Sequence, residues 1–165
     1  MSARFNYYAK LTRREQAIYD KSDAITEIEL ASPEPLRPLA DGIETALAAG
    51  KRAAIKDACQ SLTDELSKEL SVSRVAVRVL AVRPSNRNSE LHGLYDATDD
   101  GQPAKIDLWM RTAARRQVVA YRTFLRTLLH ELCHHLDYEL FDLPETFHTQ
   151  GFFQRESSLF RQLVE

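Results

Sequence analysis

The chain has 165 residues, enough for one domain with its own hydrophobic core. Hydrophobic residues make up 44% and charged residues 28% of it, which excludes collagen-like and low-complexity chains. The net charge of -2 excludes a globally basic protein, and charged residues interrupt every apolar run before the roughly 18 residues that a membrane span requires. Two cysteines, Cys59 and Cys133, are too few for a disulfide framework. We therefore expect a cytoplasmic protein whose residues 1–165 form a single domain.

Charged residues are unevenly distributed along the chain. Residues 74–126 contain ten basic and five acidic side chains, whereas residues 127–165 contain two basic and seven acidic ones. The arginines at the end of the basic segment are Arg111, Arg115, Arg116, Arg122 and Arg126. We interpret them as a solvated surface. A nucleic-acid surface is the less favoured interpretation, because no stacking aromatic residues are interleaved with these arginines.

Residues 1–72 are predicted to be helical. Thr12 and Glu15 have the spacing of a capping box, which marks the start of a helix, and Gly50 is a residue type at which helices often end. Prolines separate the first helix from the second, and apolar residues recur every three or four positions in the third. The three helices are predicted over residues 11–30, 41–49 and 51–70.

Residues 73–111 change to the alternating, β-branched pattern that is typical of strands. Residues 99–101 predict a tight turn between the second strand and the third. Short consecutive strands joined by turns favour a small, mainly antiparallel sheet of three or four strands. His92 and Tyr95 on the second strand either line a cleft or pack against the core. The strands are predicted over residues 75–82, 91–95 and 105–110.

Two helices are predicted in the last part of the chain. One lies around residues 116–140 and the other over residues 152–164, and Pro144 falls between them. The expected fold class is α+β. A helical N-terminal region over residues 1–72 is followed by a region over residues 73–165 that contains the sheet and these two helices.

The first of these two helices contains an H-E-x-x-H motif. The motif consists of His130, Glu131, Leu132, Cys133 and His134. Histidines four residues apart lie one turn apart on the same face of a helix, so both imidazoles can reach one metal ion. Zinc accepts neutral imidazole nitrogens, and the intervening glutamate can take a proton from a metal-bound water. The motif therefore predicts a zinc site with Glu131 as its catalytic base.

A catalytic zinc site takes three protein ligands, so one more ligand has to come from another part of the chain. Glu156 in the final helix would complete a site with a glutamate ligand. His148, fourteen residues after His134, would instead complete a site of three imidazoles. The residue types alone leave both candidates open.

Further motifs surround the H-E-x-x-H helix. His148 and Phe152 follow it with the spacing H-x-x-x-F. The pattern G-x-Y…I-x-L precedes it, in Gly93, Leu94, Tyr95, Ile106 and Leu108. Over about residues 74–165, this combination resembles the SprT-like zinc metallopeptidases.

The resemblance implies His130, His134 and His148 as zinc ligands and Glu131 as the catalytic base. It also implies a compact, zincin-like α+β fold in which a peptide or protein substrate lies along a sheet edge above the zinc. Residues 1–72 have no counterpart in these motifs. Many family members also carry a cysteine-rich zinc ribbon, and no residues of this sequence correspond to it. We therefore do not expect the family's DNA-linked roles here.

We therefore predict a zinc metalloendopeptidase that hydrolyses peptide bonds through a zinc-bound water, with Glu131 as the general base. As the third ligand we predict His148 rather than Glu156, because burial of Phe152 would fix the approach of His148 to the metal. The alternative is a zinc-binding regulatory or protein-interaction module with weak or no peptidase activity. The enzyme is favoured because Glu131 is needed for catalysis but not for metal affinity.

Four further residues or pairs near the motif have expected roles of their own. Asp137 lies on the ligand face and is either an acceptor for an imidazole N–H or an ordinary surface carboxylate. His135 points away from the ligand face, and we expect no metal contact from it. Tyr138 is expected to pack rather than to stabilise an oxyanion. Phe152 and Phe153 are expected to be core anchors that hold His148 in place.

Overall fold

The computed structural model describes residues 3–82, 93–98 and 101–165 and confirms the predicted α+β class. None of the helices in these ranges is long and apolar enough to cross a membrane. Two short 3₁₀ helices, Asn6–Lys10 and Glu34–Leu36, flank the first α-helix. The regular elements are α1 (Arg13–Asp23), α2 (Arg37–Ala49), α3 (Arg52–Leu70), β1 (Val75–Val82), β2 (Gly93–Asp96), β3 (Ala104–Arg111), α4 (Tyr121–Glu139) and α5 (Gln150–Val164).

Both helix signals predicted in the N-terminal region, the start signal at Thr12 and the end signal at Gly50, are present. The Thr12 hydroxyl accepts a hydrogen bond from the Glu15 backbone N–H at 3.1 Å, and the Glu15 carboxylate accepts one from the Thr12 N–H at 3.0 Å. Gly50 ends α2 in the left-handed conformation, with φ of 68°, which glycine adopts without steric cost. The capping box and the C-terminal glycine are therefore confirmed.

The first helix is shorter than predicted, because α1 ends at Asp23 and not at Leu30. The backbone N–H groups of Ile28 and Leu30 are bound by side chains of α5 instead of by preceding carbonyls. Both side chains are almost completely buried. Packing against α5 thus replaces helical hydrogen bonds over this segment, which local sequence patterns do not reveal.

Among the described strands the order is β1-β3-β2, and the sheet is mixed rather than mainly antiparallel. β2 pairs antiparallel with β3, but β1 pairs with β3 in parallel over its whole length. β3 is mostly buried and occupies the centre of the sheet. Because the chain direction reverses from β1 to β2 and again from β2 to β3, a central β3 runs parallel to β1.

The second strand is predicted to begin at residue 91. Residues 91 and 92, including the candidate cleft residue His92, lie outside the described residues.

The motif helix begins later than predicted, at Tyr121 instead of about residue 116. Arg116 has a left-handed φ of 54°, which ends any helix at that point. The preceding segment turns back onto the sheet, where the Val119 N–H donates to the Met110 carbonyl at 2.8 Å and Val118 bridges Arg111. The first five predicted helical residues are therefore not helical and instead lie against the end of β3.

α4 packs its apolar face into the core, as its leucine periodicity predicts. The buried leucines of this face are Leu125, Leu128, Leu129, Leu132 and Leu136. They belong to one cluster that also contains residues of α2, α3, the sheet and α5. The opposite face of α4, which carries the histidines of the motif, is directed toward β2 and the start of α5.

A buried ion pair connects α4 and α5 to the end of α1. The Arg155 guanidinium donates to the Asp137 carboxylate at 2.9 Å, and neither side chain is exposed. It also donates to the main-chain carbonyls of Ser22 and Ile25, each at 2.6 Å. Arg155 therefore attaches the N-terminal region to the two helices of the candidate site.

Replacing Arg155 with Met is expected to lower the free energy of unfolding by about 3–5 kcal/mol, because Asp137 would remain buried without its cationic partner. Arg78→Met is the matched control, since Arg78 binds Asp107 at 2.7 Å in an exposed pair and its loss should change stability little. Urea unfolding measures both. Equal, small losses in the two variants would contradict the assigned role of the buried pair.

Candidate metal centre

Three imidazoles meet at the open face of α4. His130 and His134 lie one turn apart on this helix, and His148 comes from the segment between α4 and α5. One ring nitrogen from each lies within 4.8 Å of the corresponding atoms of the other two. The Nε2 atoms of His134 and His148 are 3.1 Å apart. The three histidines predicted from the sequence are thus brought together in an arrangement that can hold a metal ion.

The tautomer of His134 is set by a chain of hydrogen bonds. The Thr146 hydroxyl donates its proton to the Asp137 carboxylate at 2.7 Å. Its oxygen also lies 2.8 Å from Nδ1 of His134, and since the hydroxyl has only one proton, it accepts this bond from the Nδ1–H. Nε2 of His134 therefore carries a free lone pair that faces His148. Asp137 is buried, so it orients the imidazole through Thr146 and is not a surface carboxylate.

The tautomer of His130 is set by Glu156. The Glu156 carboxylate lies 2.8 Å from Nδ1 of His130, and because a carboxylate only accepts, the imidazole carries its proton on Nδ1. The same carboxylate is held from the other side by Arg126 at 3.4 Å. Glu156 thus orients His130 and is not a member of the three-imidazole group, the arrangement expected if His148 is the third ligand.

His134 and His148 are held in the neutral form. Burial, together with the neighbouring His130 and His148, lowers the pKa of His134 to about 3. Burial also lowers the pKa of His148, with His130 contributing. Neutral imidazole is the form that binds metal ions, so no proton has to be displaced from these two side chains at neutral pH.

Glu131 lies beside the imidazoles in a cleft of about 500 Å³. Only 6% of the residue is exposed, and burial raises the pKa of its carboxyl. Oε2 of Glu131 is buried and has no hydrogen-bond partner among the described residues. An unpaired buried carboxylate oxygen destabilises a fold, so its retention beside three histidines points to a chemical role.

Gly93, at the start of β2, allows the strand to approach this glutamate. A Cβ atom at this position would lie 2.8 Å from Cγ2 of Thr127 and 3.1 Å from Cγ of Glu131. Any other residue would push β2 away from α4. The glycine therefore fixes one wall of the cleft, in contact with the two α4 residues.

His135 has a structural position, as predicted. Its Nε2–H donates to the main-chain carbonyl of Ser73, so Nδ1 accepts a hydrogen bond from the Tyr95 hydroxyl, each at 2.8 Å. Tyr95 also stacks against Tyr138, with ring centroids 6.4 Å apart. Tyr95 and His135 thus join β2 and the segment before β1 to α4, and the Tyr95 ring also stacks on that of His134, with centroids 6.4 Å apart.

The two phenylalanines at the start of α5 have different environments. Phe152 is fully buried, and its ring centroid lies 4.7 Å from that of His134 and 5.2 Å from that of His148. Phe153 is 39% exposed and lines the cleft, so the prediction that it is a core anchor is wrong. Adjacent helical residues are about 100° apart around the axis, so Phe153 is turned from the buried position of Phe152 toward the cleft.

Two residues that help to orient the imidazoles are missing from the sequence predictions. Thr146 stands in an irregular segment without periodicity, and only its spatial proximity to His134 and Asp137 shows its role. Arg126 was grouped with the solvated arginines, although it lies one turn before His130 on the same helix face. That helical spacing is the one signal that would have indicated its position at the cleft.

No family model matches this chain, and no curated protein or solved structure matches it either. The capacity to hold a metal ion follows from the positions of the three histidines themselves. The likeness to SprT-like metallopeptidases depends on the sequence motifs and stays a prediction.

Proposed function

We propose that this protein is a zinc-dependent metallopeptidase of the SprT-like type that hydrolyses peptide bonds in polypeptide substrates. One observation carries the proposal: three imidazoles with converging nitrogens lie beside a buried carboxylate that has an unpaired oxygen. The three imidazoles supply the ligands of a catalytic zinc site, and Glu131 supplies a base.

The donor set fits zinc. Two nitrogens bound tetrahedrally at about 2.0–2.1 Å from a zinc ion lie roughly 3.3 Å apart, close to the 3.1 Å between Nε2 of His134 and His148. His130 and His134 also have Nδ1 acceptors, the arrangement that orients imidazole ligands in metalloproteins. Zinc bound there would polarise the scissile carbonyl and lower the pKa of a water molecule.

Residues of the chain provide the proton transfer and the orientation of the imidazoles. Burial makes the Glu131 carboxylate a stronger base, and this carboxylate, which lines the cleft, can accept a proton from the attacking water. After the attack, the same carboxyl can donate the proton to the leaving amine. Glu156 and Thr146 hold their imidazoles in the tautomer that leaves Nε2 free.

Exposed apolar side chains lie on two sides of the three imidazoles. Phe153 is 39% exposed and lines the cleft with His130 and Glu131, and Leu94 on β2 is 47% exposed. β2 is also at one edge of the sheet formed by the described strands. These features support an extended polypeptide with apolar side chains as the substrate, bound along β2.

The alternative, a zinc-binding regulatory module, explains the imidazoles but not Glu131. Metal binding by three histidines does not require a buried, unpaired carboxylate next to them, and such a group lowers stability. A purified protein that contains one zinc ion per chain and cleaves an unfolded protein supports the peptidase. Bound zinc without cleavage of any unfolded protein or peptide would support the module instead.

Removing zinc is expected to lower the thermal unfolding midpoint. The ligands come from α4 and from the segment before α5, so an ion that binds only the folded chain stabilises their contact. At free zinc 100-fold above Kd, this linkage contributes about 2.7 kcal/mol. Calorimetry before and after complete chelation, with metal analysis of both samples, measures the change. An unchanged midpoint after confirmed metal loss would contradict the proposed site.

A further inference from the structure

The third imidazole is oriented differently from the other two. His130 and His134 each have an acceptor at Nδ1. For the exposed ring of His148, the hydrogen bonds of the described residues include only His134 as a partner. Among the described residues no acceptor comparable to Glu156 or Thr146 binds this ring, which packs against Phe152, so its direction depends on how its main chain is held.

The main chain of His148 is held by the N-terminal region. The Tyr7 hydroxyl, in the 3₁₀ helix Asn6–Lys10, donates to the His148 carbonyl oxygen at 2.6 Å across 141 positions of sequence. Burial raises the pKa of Tyr7 to about 12, so the hydroxyl keeps the proton that it donates. This bond acts at the backbone of the ligand residue itself.

Aromatic contacts fix Tyr7 in place. Its ring centroid lies 5.6 Å from that of Tyr19, which is fully buried in α1, and 6.4 Å from that of Phe147, the neighbour of His148. Phe5 packs edge-on against Phe153 at 6.2 Å, at the rim of the cleft. Phe5 and Tyr7 thus attach the N-terminal segment to Phe153 and Phe147, which lie on either side of the third imidazole.

The chain just after His148 is held by α1 as well. Ser22 and Thr149 share a buried hydrogen bond between their hydroxyls at 3.3 Å, and the Asp23 carboxylate accepts from the Gly151 N–H at 3.0 Å. A Cβ at Gly151 would lie 2.5 Å from the Asp23 carbonyl oxygen, so the two segments are in direct contact. Residues before and after the third imidazole are therefore positioned by residues 5–23.

We propose that Tyr7 is a positioning residue for the metal centre: it fixes the backbone of His148 and thereby raises the affinity for zinc. The proposal rests on the proposed zinc site and assigns a role to an N-terminal region that the motifs leave without one. Within the N-terminal region, the Tyr7 hydroxyl is the group that contacts His148 directly.

Tyr7→Phe removes this hydroxyl and keeps the aromatic ring. We expect the zinc Kd, measured by competition with a chromophoric chelator, to rise about tenfold, the lower end of losses for groups that orient a ligand. The visible absorption spectrum of Co²⁺ bound in place of zinc should change as well, because the geometry at the metal changes. The unfolding midpoint of the metal-free protein should remain close to that of the unaltered chain.

Tyr8→Phe is the matched control. Tyr8 lies in the same 3₁₀ helix and also loses one hydrogen bond, from its hydroxyl to the Asp20 carboxylate at 2.9 Å, but it does not contact His148. It should leave the zinc Kd and the Co²⁺ spectrum unchanged. Equal effects of Tyr7→Phe and Tyr8→Phe would show a general contribution of the 3₁₀ helix and would overturn the proposal.

A double variant separates this proposal from the proposed function. In the His148→Ala background, Tyr7→Phe should cause no further loss of zinc affinity, because the residue on which it acts is gone. A full additional tenfold loss would overturn the positioning role while leaving the zinc site intact. If the unaltered chain binds no zinc in the same assay, the proposed function fails, and the role of Tyr7 fails with it.

Discussion

Glu131→Gln is expected to abolish measurable peptide hydrolysis and to leave zinc bound. An amide cannot accept the proton of the attacking water, and general base catalysis contributes about 10²–10⁴-fold to the rate. Glutamine has nearly the same shape, and Glu131 is not one of the three imidazole ligands. Hydrolysis of an unfolded protein and zinc content, measured on the same preparation, test both parts of the prediction.

Glu44→Gln is the matched control for this variant. Glu44 is an exposed glutamate on α2, far along the chain from the motif, so activity and zinc content should both be preserved. Normal hydrolysis by Glu131→Gln would remove the catalytic base from the mechanism. A loss of zinc in this variant would instead place Glu131 among the groups that hold the metal.

The variant also measures what the buried carboxylate contributes to stability. Oε2 of Glu131 is buried without a hydrogen-bond partner among the described residues, and the positions of Gly93 and Thr127 keep that side chain close to β2. A neutral amide is less costly to bury than an unpaired charge. An inactive variant that is at least as stable as the unaltered chain would show that stability is sacrificed for chemistry at this position.

Local periodicity explains why much of the motif helix was predictable. Leu125, Leu132 and Leu136 are buried at the spacing that a helix requires, and this places His130 and His134 on the opposite face. The late start of α4 was not predictable in this way. The turn at Arg116 accompanies the pairing of the next residues, Val118 and Val119, with β3, and that pairing depends on the tertiary fold.

Contacts between distant segments account for the rest. The parallel pairing of β1 with β3 depends on which strand occupies the centre of the sheet, and alternation along each strand is the same in either arrangement. Likewise, no motif or periodicity around Tyr7 and Arg155 indicates that either residue has a distant partner. Their partners, His148 and Asp137, are identified only when the N-terminal region is seen packed on the two C-terminal helices.

The identity of the third ligand was open from residue types alone, and the structure gives the two candidates separate positions. His148 lies with the other imidazoles, whereas Glu156 contacts the far side of His130 at Nδ1. A group that binds the metal directly and a group that orients a ligand differ in the size of their effect on affinity. The difference provides a quantitative test of the site.

His148→Ala is therefore expected to lower zinc affinity by more than about 100-fold and to abolish hydrolysis, since a direct ligand should matter more than the groups that orient one. Glu156→Gln should weaken zinc binding only about tenfold, because the amide oxygen can still accept the Nδ1–H of His130. Chelator competition gives both affinities. The opposite order would mean that Glu156 binds the metal, because a glutamate that only oriented His130 could not cost more affinity than a ligand. It would also leave the resemblance to SprT-like metallopeptidases without its third histidine.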